Sequence, residues 1–240
     1  MSGLALPDRM KGYEAVSDGA LMRRSPVVVR VDGKAFHSLT RGMERPFDDG
    51  FSSCMDAVAV ALCEGAQGAK VAYAQSDEVS VLLTDYDTLQ TDGWFGYRIQ
   101  KIASVSASIA TAAFNSAYRG RFDNGRVGLF DARVFVLPRD EVTNYFVWRQ
   151  RDAVRNSIQS TGQAHFSHKD LHRKSTNEVQ EMLFSERGIN WNLTPTYFKR
   201  GRCCVREAFD HEGTERHRWV IDREIPEFSK DREYIEGLLP

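Results

Sequence analysis

The sequence predicts an α+β fold, a ferredoxin-like βαββαβ unit followed by a mostly helical extension, and three observations carry that expectation. The first is Val27-Val28-Val29-Arg30-Val31, a β-branched run that reads as a buried strand and delivers Asp32 at its C-terminal end. The second is a hairpin, 70–74 with 79–83, that turns through Gln75-Ser76-Asp77-Glu78. The third is the interleaving of these strands with two helical stretches, which gives the order β-α-β-β-α-β. In that topology the end of the first strand and the hairpin turn share one edge of the sheet, so Asp32 and Asp77 converge although they are far apart in sequence.

The first helix is expected over 49–65, where Phe51, Met55, Val58, Ala59 and Leu62 form one apolar stripe. The second, over 94–117, is rich in Ala and Ser and carries Arg98 and Lys101 on a shared face. A fourth strand covers 129–137, and Pro138 ends it. Residues 1–138 therefore read as a catalytic core. Residues 139–240 read as an extension packed on the same unit, since no linker divides the chain. Within it, 140–163 suits one long helix. A second helix, 175–187, opens on a capping box of Ser175 and Glu178 and closes at Gly188. Two late strands are expected at 202–208 and 218–223, and a polar tail from Pro226.

Composition narrows the classes. At 240 residues and 42% hydrophobic the chain can bury a sizeable core, and no apolar run approaches the ~20 residues of a membrane helix. The first residues lack the pattern of a signal peptide, so a cytoplasmic protein with no membrane partner is expected. Cys54, Cys63, Cys203 and Cys204 make no CxxC spacing, which suits reduced thiols and no structural zinc. His165 and His168 have no matching acidic partner for a zinc site. A net charge of −1 argues against coating nucleic acid by charge alone. Two local basic stretches remain, 169–174 and 199–202, the second preceded by Tyr197 and Phe198. Each is either solvated surface or an RNA contact.

Asp32, Asp77 and Glu78 admit two readings. They are an N-cap and solvated turn acids, or carboxylates at neighbouring strand ends that hold a pair of oxygen-ligated metal ions. Gly33 favours the second, because a glycine after the strand-end acid lets a metal or phosphate approach the main chain. Lys34, Ala35, Phe36 and His37 continue that loop, whose amides with Lys34 can cradle a triphosphate. His37 is equally a histidine satisfied by the backbone, and Ser76 either donates to a phosphate or stabilises its turn. Arg98 and Lys101 either neutralise a triphosphate over the metal edge or form a solvated stripe. Arg45 and Asp48 are a loop pair with the same ambiguity. Gly125-x-x-Gly128 is a turn without a dinucleotide fingerprint, and no GxSxG elbow occurs.

Taken together, RVDGKAFHSLTRGMERPFDD, AYAQSDEVSVLL, YRIQKIASVSASIATAAFN, FDARVFVLPRDEVTNYFVWRQRDAVRN, STNEVQEMLFSERGINWN and YFKRG resemble the tRNA-histidine guanylyltransferase family. The match also covers that family's relatives, the 3′–5′ nucleotide-adding tRNA repair polymerases. It runs from about residue 30 to residue 201 in the family's order. The resemblance implies a palm-like domain related to that of 5′–3′ polymerases. It places Asp32 and Asp77 as ligands of two Mg²⁺ ions, with the Gly33 carbonyl contributing and Glu78 supporting. The loop from Asp32 to His37, with Ser76, would hold a nucleoside triphosphate, and Arg98 and Lys101 its phosphates. Arg45, Asp48 and Asn156 would serve activation of the tRNA 5′ end, and Arg149, Arg155, Lys199 and Arg200 would contact tRNA.

The implied reaction activates a tRNA 5′-monophosphate with ATP. The 3′-hydroxyl of GTP or another nucleotide then attacks, and AMP is released. A homotetramer is also implied. One departure bears on specificity: where the eukaryotic tRNA-histidine enzymes carry His-Ile-Asn-Asn after Trp-Arg-Gln, this chain has Val154-Arg155-Asn156-Ser157, keeping only Asn156. Asn177-Glu178 and Asn190-Trp191-Asn192 still match. The pattern resembles the guanylyltransferase-like branch, which implies templated 5′-end repair over a single G addition to tRNA-histidine. A palm-fold nucleotide cyclase would not call for the WRQ and NEVQEMLF segments, and a non-catalytic tRNA-binding protein would be free to lose the acids.

Overall fold

The computed structural model describes residues 5–122 and 124–240. Its centre is a six-stranded antiparallel sheet in the order β4-β1-β3-β2-β5-β6. The strands are β1 (Val27–Gly33), β2 (Ala69–Gln75), β3 (Glu78–Leu83), β4 (Phe130–Val136), β5 (Arg202–His211) and β6 (Thr214–Asp222). The two long helices of the first half, α3 (Asp49–Gly65) and α4 (Ile99–Arg119), cover one face of the sheet. Before them come α1 (Leu6–Ala15) and the single turn α2 (Phe36–Leu39). Helix α1 buries none of its residues, and its weak periodicity left no signal in the sequence.

Alternation along β1 builds two cores. Val27, Val29 and Val31 point into the layer shared with α3 and α4, among Met55, Val58, Leu62, Ile102 and Phe114. Val28 points the other way, to Tyr73, Leu82 and Phe146 of α5 (Val142–His165). Cys203 and Cys204 divide between the two layers as adjacent strand residues must, and all four cysteines are free and buried. A smaller cluster of Ile158, Val179 and Leu183 joins α5 to α7 (Thr176–Arg187). The capping box at Ser175 and Glu178 is formed, and Gly188 closes α7 in the left-handed conformation.

The extension is part of the same sheet. β5 pairs with β2 from Val71↔Val205 to Ala74↔Arg202, so no strand edge separates the halves. Short helices α6 (His168–Leu171) and α8 (Thr196–Arg200) connect these elements, and α9 (Glu233–Glu236) closes the chain. Among the described residues no helix is long and apolar enough to cross a membrane.

Two expectations are corrected. The late strands form a hairpin longer than expected, because the charged residues of its distal half are exposed on both faces and hide the period-two pattern. The segment after Pro226 is not a polar tail. Ile225, Phe228 and Ile235 are buried against Val28, Tyr73 and Phe146, and the Gln150 side chain holds the backbone of Pro226 and Phe228 at 2.9 Å each. Single apolar residues spaced among charges anchor that segment. Phe228→Ala is expected to cost about 3–5 kcal/mol, read by denaturant unfolding.

Candidate active site

The end of β1 and the β2–β3 turn meet as the topology requires. Asp32 lies opposite Glu78 on β3 and opposite Asp131 on β4, and the Gly33 N–H donates to the Asp77 carbonyl at 3.0 Å. The turn has only two residues beyond the paired strands, Ser76 and Asp77, with Ser76 left-handed at φ 47°. The Ser76 hydroxyl donates to Asp77 Oδ1 at 2.9 Å. Burial pushes the Asp77 carboxyl above its ordinary range; the Ser76 hydrogen bond opposes this, while the charges of Asp32 and Glu78 add to it. Among the described residues neither Asp32 nor Asp77 has an ion-pair partner.

Glu78 is different. Its two oxygens accept from Arg149 Nε at 2.8 Å and Nη2 at 2.6 Å, and both side chains are buried. This bidentate pair fixes α5 to the catalytic edge. It also corrects the expectation that Arg149 meets tRNA, since the guanidinium is committed inside the protein. The neighbouring motif residues divide the work. Trp148 is exposed, with the Arg149 guanidinium 4.5 Å from its ring, and Gln150 clamps the C-terminal segment as described above.

The loop after β1 is held from beneath. Ala35 is left-handed at φ 55°, and the chain then enters α2. Phe36 is buried at 5.0 Å from the rings of Phe114 and Phe130, so its side chain supports the loop and does not reach a nucleotide. Arg126 donates from one nitrogen to the carbonyls of Ser38, Leu39 and Arg41, tying off the far end of the loop. Lys34 and His37 are left exposed. A Cβ at Gly33 would sit 2.6 Å from the Phe36 ring. Gly33→Val is expected to displace that ring cluster and cost about 1–3 kcal/mol, with a raised KM for nucleotide as the kinetic reading.

A cavity of about 620 Å³ opens beside this edge. His37, Arg45, Asp48, Ser76 and Asn156, all nominated by the sequence, line it together. Sequence reasoning missed Gln163 in the same wall, placed Gln75 only in the hairpin turn, and had Phe198 and Arg202 only at the 199–202 basic stretch. Asp48 also caps α3, accepting from the Phe51 N–H at 2.8 Å. Phe47 stacks on Phe198 at 4.6 Å, which joins the loop of the first half to α8 of the second. Arg202 is buried and bonded to Asp56 and to the Ser52 carbonyl. Arg30 was missed as well. It lies one step back from Asp32 on the same face, opposite Arg133, and its buried Nε has no hydrogen-bond partner among the described residues. The repeated alternation Arg30-x-Asp32 and Asp131-x-Arg133 is the signal that could have found it.

Arg98 and Lys101 are not brought to this edge. The Asn115 side chain, near the end of α4, bonds Gly128 in both directions at 2.8 and 2.9 Å, just before β4 starts beside Gly33. The start of α4 is thus about 20 Å away, at the opposite edge of the sheet. There Arg98 pairs with Asp18, and the Lys101 ammonium lies 5.5 Å from the Phe95 ring. A helix that returns the chain to the catalytic edge must begin at the far one. The remaining candidates are held by neighbours: Arg155 by Asp152, Lys199 by the Asn192 carbonyl, and Arg200 by Glu227.

The donor set at the edge suits a hard cation. Two carboxylates stand together with no ion-pair partner among the described residues, beside the main chain at Gly33. Among the described residues no third acid, histidine or cysteine completes a cluster, so a metal would also need main-chain and substrate oxygens. Paired acids at strand ends beside a deep polar and aromatic cavity define a nucleotidyltransferase.

Comparison with known proteins agrees. The profile of the tRNAHis guanylyltransferase family matches residues 7–138, and that of the Thg1 C terminal domain matches residues 140–235. The tRNA(His) guanylyltransferase of Schizosaccharomyces pombe is 30% identical over 218 residues, spanning 85% of this chain and 81% of the relative. A bacterial tRNA(His) guanylyltransferase-like protein in complex with ATP superposes with a TM-score of 0.93 at 45% identity, over 98% of this chain and 99% of the other. A structure of such a bacterial protein in complex with GTP gives 0.84 at 42% identity, over 97% and 98% of the two chains. The chain belongs to the tRNAHis guanylyltransferase family.

Proposed function

We propose that this protein adds nucleotides in the 3′–5′ direction to the 5′ end of tRNA, copying the opposite strand, and so repairs shortened 5′ ends. The observation that carries this reading is the acid pair Asp32 and Asp77 at neighbouring strand ends, next to a cavity of about 620 Å³ that Ser76 and His37 line. Two structures of bacterial guanylyltransferase-like protein are complexes with ATP and with GTP, and both nucleotides are assigned here to the cavity beside Ser76 and His37. The four strands β4-β1-β3-β2 with α3 and α4 would then be a polymerase palm.

In this reading Asp32, Asp77 and the Gly33 carbonyl hold two Mg²⁺ ions. Bound there, the cations lower the pKa of the attacking hydroxyl and stabilise charge on the leaving group. The protein's own groups do the rest. Amides of residues 35 and 36 and the Lys34 ammonium receive phosphate oxygens, the Lys34 N–H itself being donated to the Leu129 carbonyl. Arg45, which has no ion pair among the described residues, meets the RNA 5′-phosphate across the cavity, with Asn156 beside it. Arg30 and Arg133 add positive charge behind Asp32.

Templated repair is favoured over addition of a lone G by the wall of α5. Val154, at the position of the family histidine, packs with Ile158, Val179 and Leu183, whereas Asn156 and Ser157 line the cavity. The test uses 5′-monophosphorylated tRNA lacking its first nucleotide, with Mg²⁺, ATP and each labelled nucleoside triphosphate. Extension by the complementary nucleotide is expected. Addition of G whatever the opposing base would favour tRNA-histidine maturation, and no addition on mono- or triphosphorylated RNA would refute the polymerase reading.

A further inference from the structure

The geometry points to an RNA path along the C-terminal half of α5, ending in a basic corner at Lys169 and Arg173 that grips the phosphate backbone of the substrate away from its reacting 5′ end. This rests on the RNA-extending function proposed above.

Four basic residues stood out in the sequence as RNA contacts, and each is already engaged by its own chain. Arg149 is buried on Glu78, Arg155 is paired with Asp152, Lys199 donates to Asn192 and Arg200 pairs with Glu227. The corner around α6 is the reverse case. Lys169 and Arg173 are exposed and make no ion pair among the described residues. The acid between them, Asp170, is turned back onto Ser167 in a capping box. Arg187 lies nearby with its guanidinium 4.6 Å from the Phe166 ring, adding a third positive charge and an aromatic surface.

This corner is connected to the catalytic edge. A second cavity of about 500 Å³, lined by Gln159, Phe166, His168, His172 and Arg173, shares Gln163 as a wall with the cavity beside Ser76. Gln159 and Gln163 fall at i and i+4 on one face of α5, and Phe166 follows directly at its C-terminal cap, so the two cavities follow one another along the end of the helix. From Asn156 to the end of α5 at His165 the helix axis advances about 14 Å, a span of about two nucleotides, and α6 follows. Amides, imidazoles and free cations strung along an open groove suit a polyanionic strand. A small anion would call for an enclosed set of donors. The chain's net charge of −1 makes such a local basic strip the place where phosphates are drawn.

The test is K169E/R173E in the full chain, compared with wild type and with R216E on the exposed part of β6. Binding of fluorescein-labelled tRNA is followed by anisotropy from 50 to 300 mM salt, alongside the KM for ATP. The double variant is expected to bind at least 10-fold more weakly at low salt, with a log–log salt slope shallower by about 1.5–2. Its KM for ATP and melting temperature, and RNA binding by R216E, should be unchanged. In a second measurement, tRNA carrying 4-thiouridine in the acceptor stem should crosslink to the peptide spanning 166–173 of wild type. Unchanged affinity and slope in the double variant, or crosslinks confined to other peptides, would overturn the inference while leaving the functional reading in place. Failure of the wild-type protein to bind tRNA at all would instead strike the functional reading.

Discussion

Asp77→Asn is expected to reduce 5′-end extension by about 10³-fold or more while raising the melting temperature of the metal-free protein. The two effects have one cause. In the folded chain Asp77 is half-buried at the tip of a two-residue turn, facing Asp32 and Glu78, with the Ser76 hydroxyl as its one side-chain hydrogen-bond donor among the described residues. Holding that charge without a counter-ion opposes folding, and an isosteric amide removes the opposition while keeping a group that can accept from Ser76. The same charge is what a cation would bind, and metal stabilisation of phosphoryl transfer contributes several kcal/mol, each ~1.4 kcal/mol being tenfold in rate. Added Mg²⁺ should therefore raise the melting temperature of wild type and leave the variant nearly unmoved. A variant that lost both activity and stability would mean that Asp77 is a structural turn residue.

Arg149→Met is expected to destabilise the protein by about 3–5 kcal/mol, because it leaves the Glu78 carboxylate buried without its bidentate partner. For a chain of this size that is a fall of about 10 °C in melting temperature. The double variant Glu78→Gln with Arg149→Met should recover much of the loss, since neither residue then strands a charge. Activity is the second readout. If Glu78 serves only to fix α5, the double variant retains measurable nucleotide addition once folded. Complete inactivity in a stable double variant would place Glu78 in the chemistry itself.

Much of the site was readable from residue order because strand periodicity and turn length leave little freedom. A β-branched run ending in Asp-Gly and a hairpin with Ser-Asp in its turn become neighbours whenever the two strands pair, and Asp32 and Asp77 do meet. The loop of Arg45 and Asp48 and the helix face of Asn156 were nominated by resemblance, and the cavity joins them to His37 and Ser76.

Other roles depended on what lies behind a residue. Phe36 sits in the nucleotide loop by sequence and under it in space. Arg149 belongs to a basic motif, and only its burial against Glu78 reveals an internal clamp. Arg98 and Lys101 share a helix face as expected, but the direction of α4 sets them at the far edge. The C-terminal segment looked polar because Phe228 and Ile235 are isolated among charges, and three-dimensional contact was needed to show that each fills a gap in the core.

The sequence by itself determined the alternation of strands and helices, the placing of two acids at neighbouring strand ends and the family. Those properties rest on local rules: side-chain periodicity, turn requirements and hard-oxygen donors next to a glycine. Tertiary structure decided which charges are free. Whether an arginine is a clamp or a contact depends on the carboxylate that folding brings to it. That pairing commits Arg149, Arg155 and Arg200 within the chain and leaves the corner at Lys169 and Arg173 without an ion pair among the described residues.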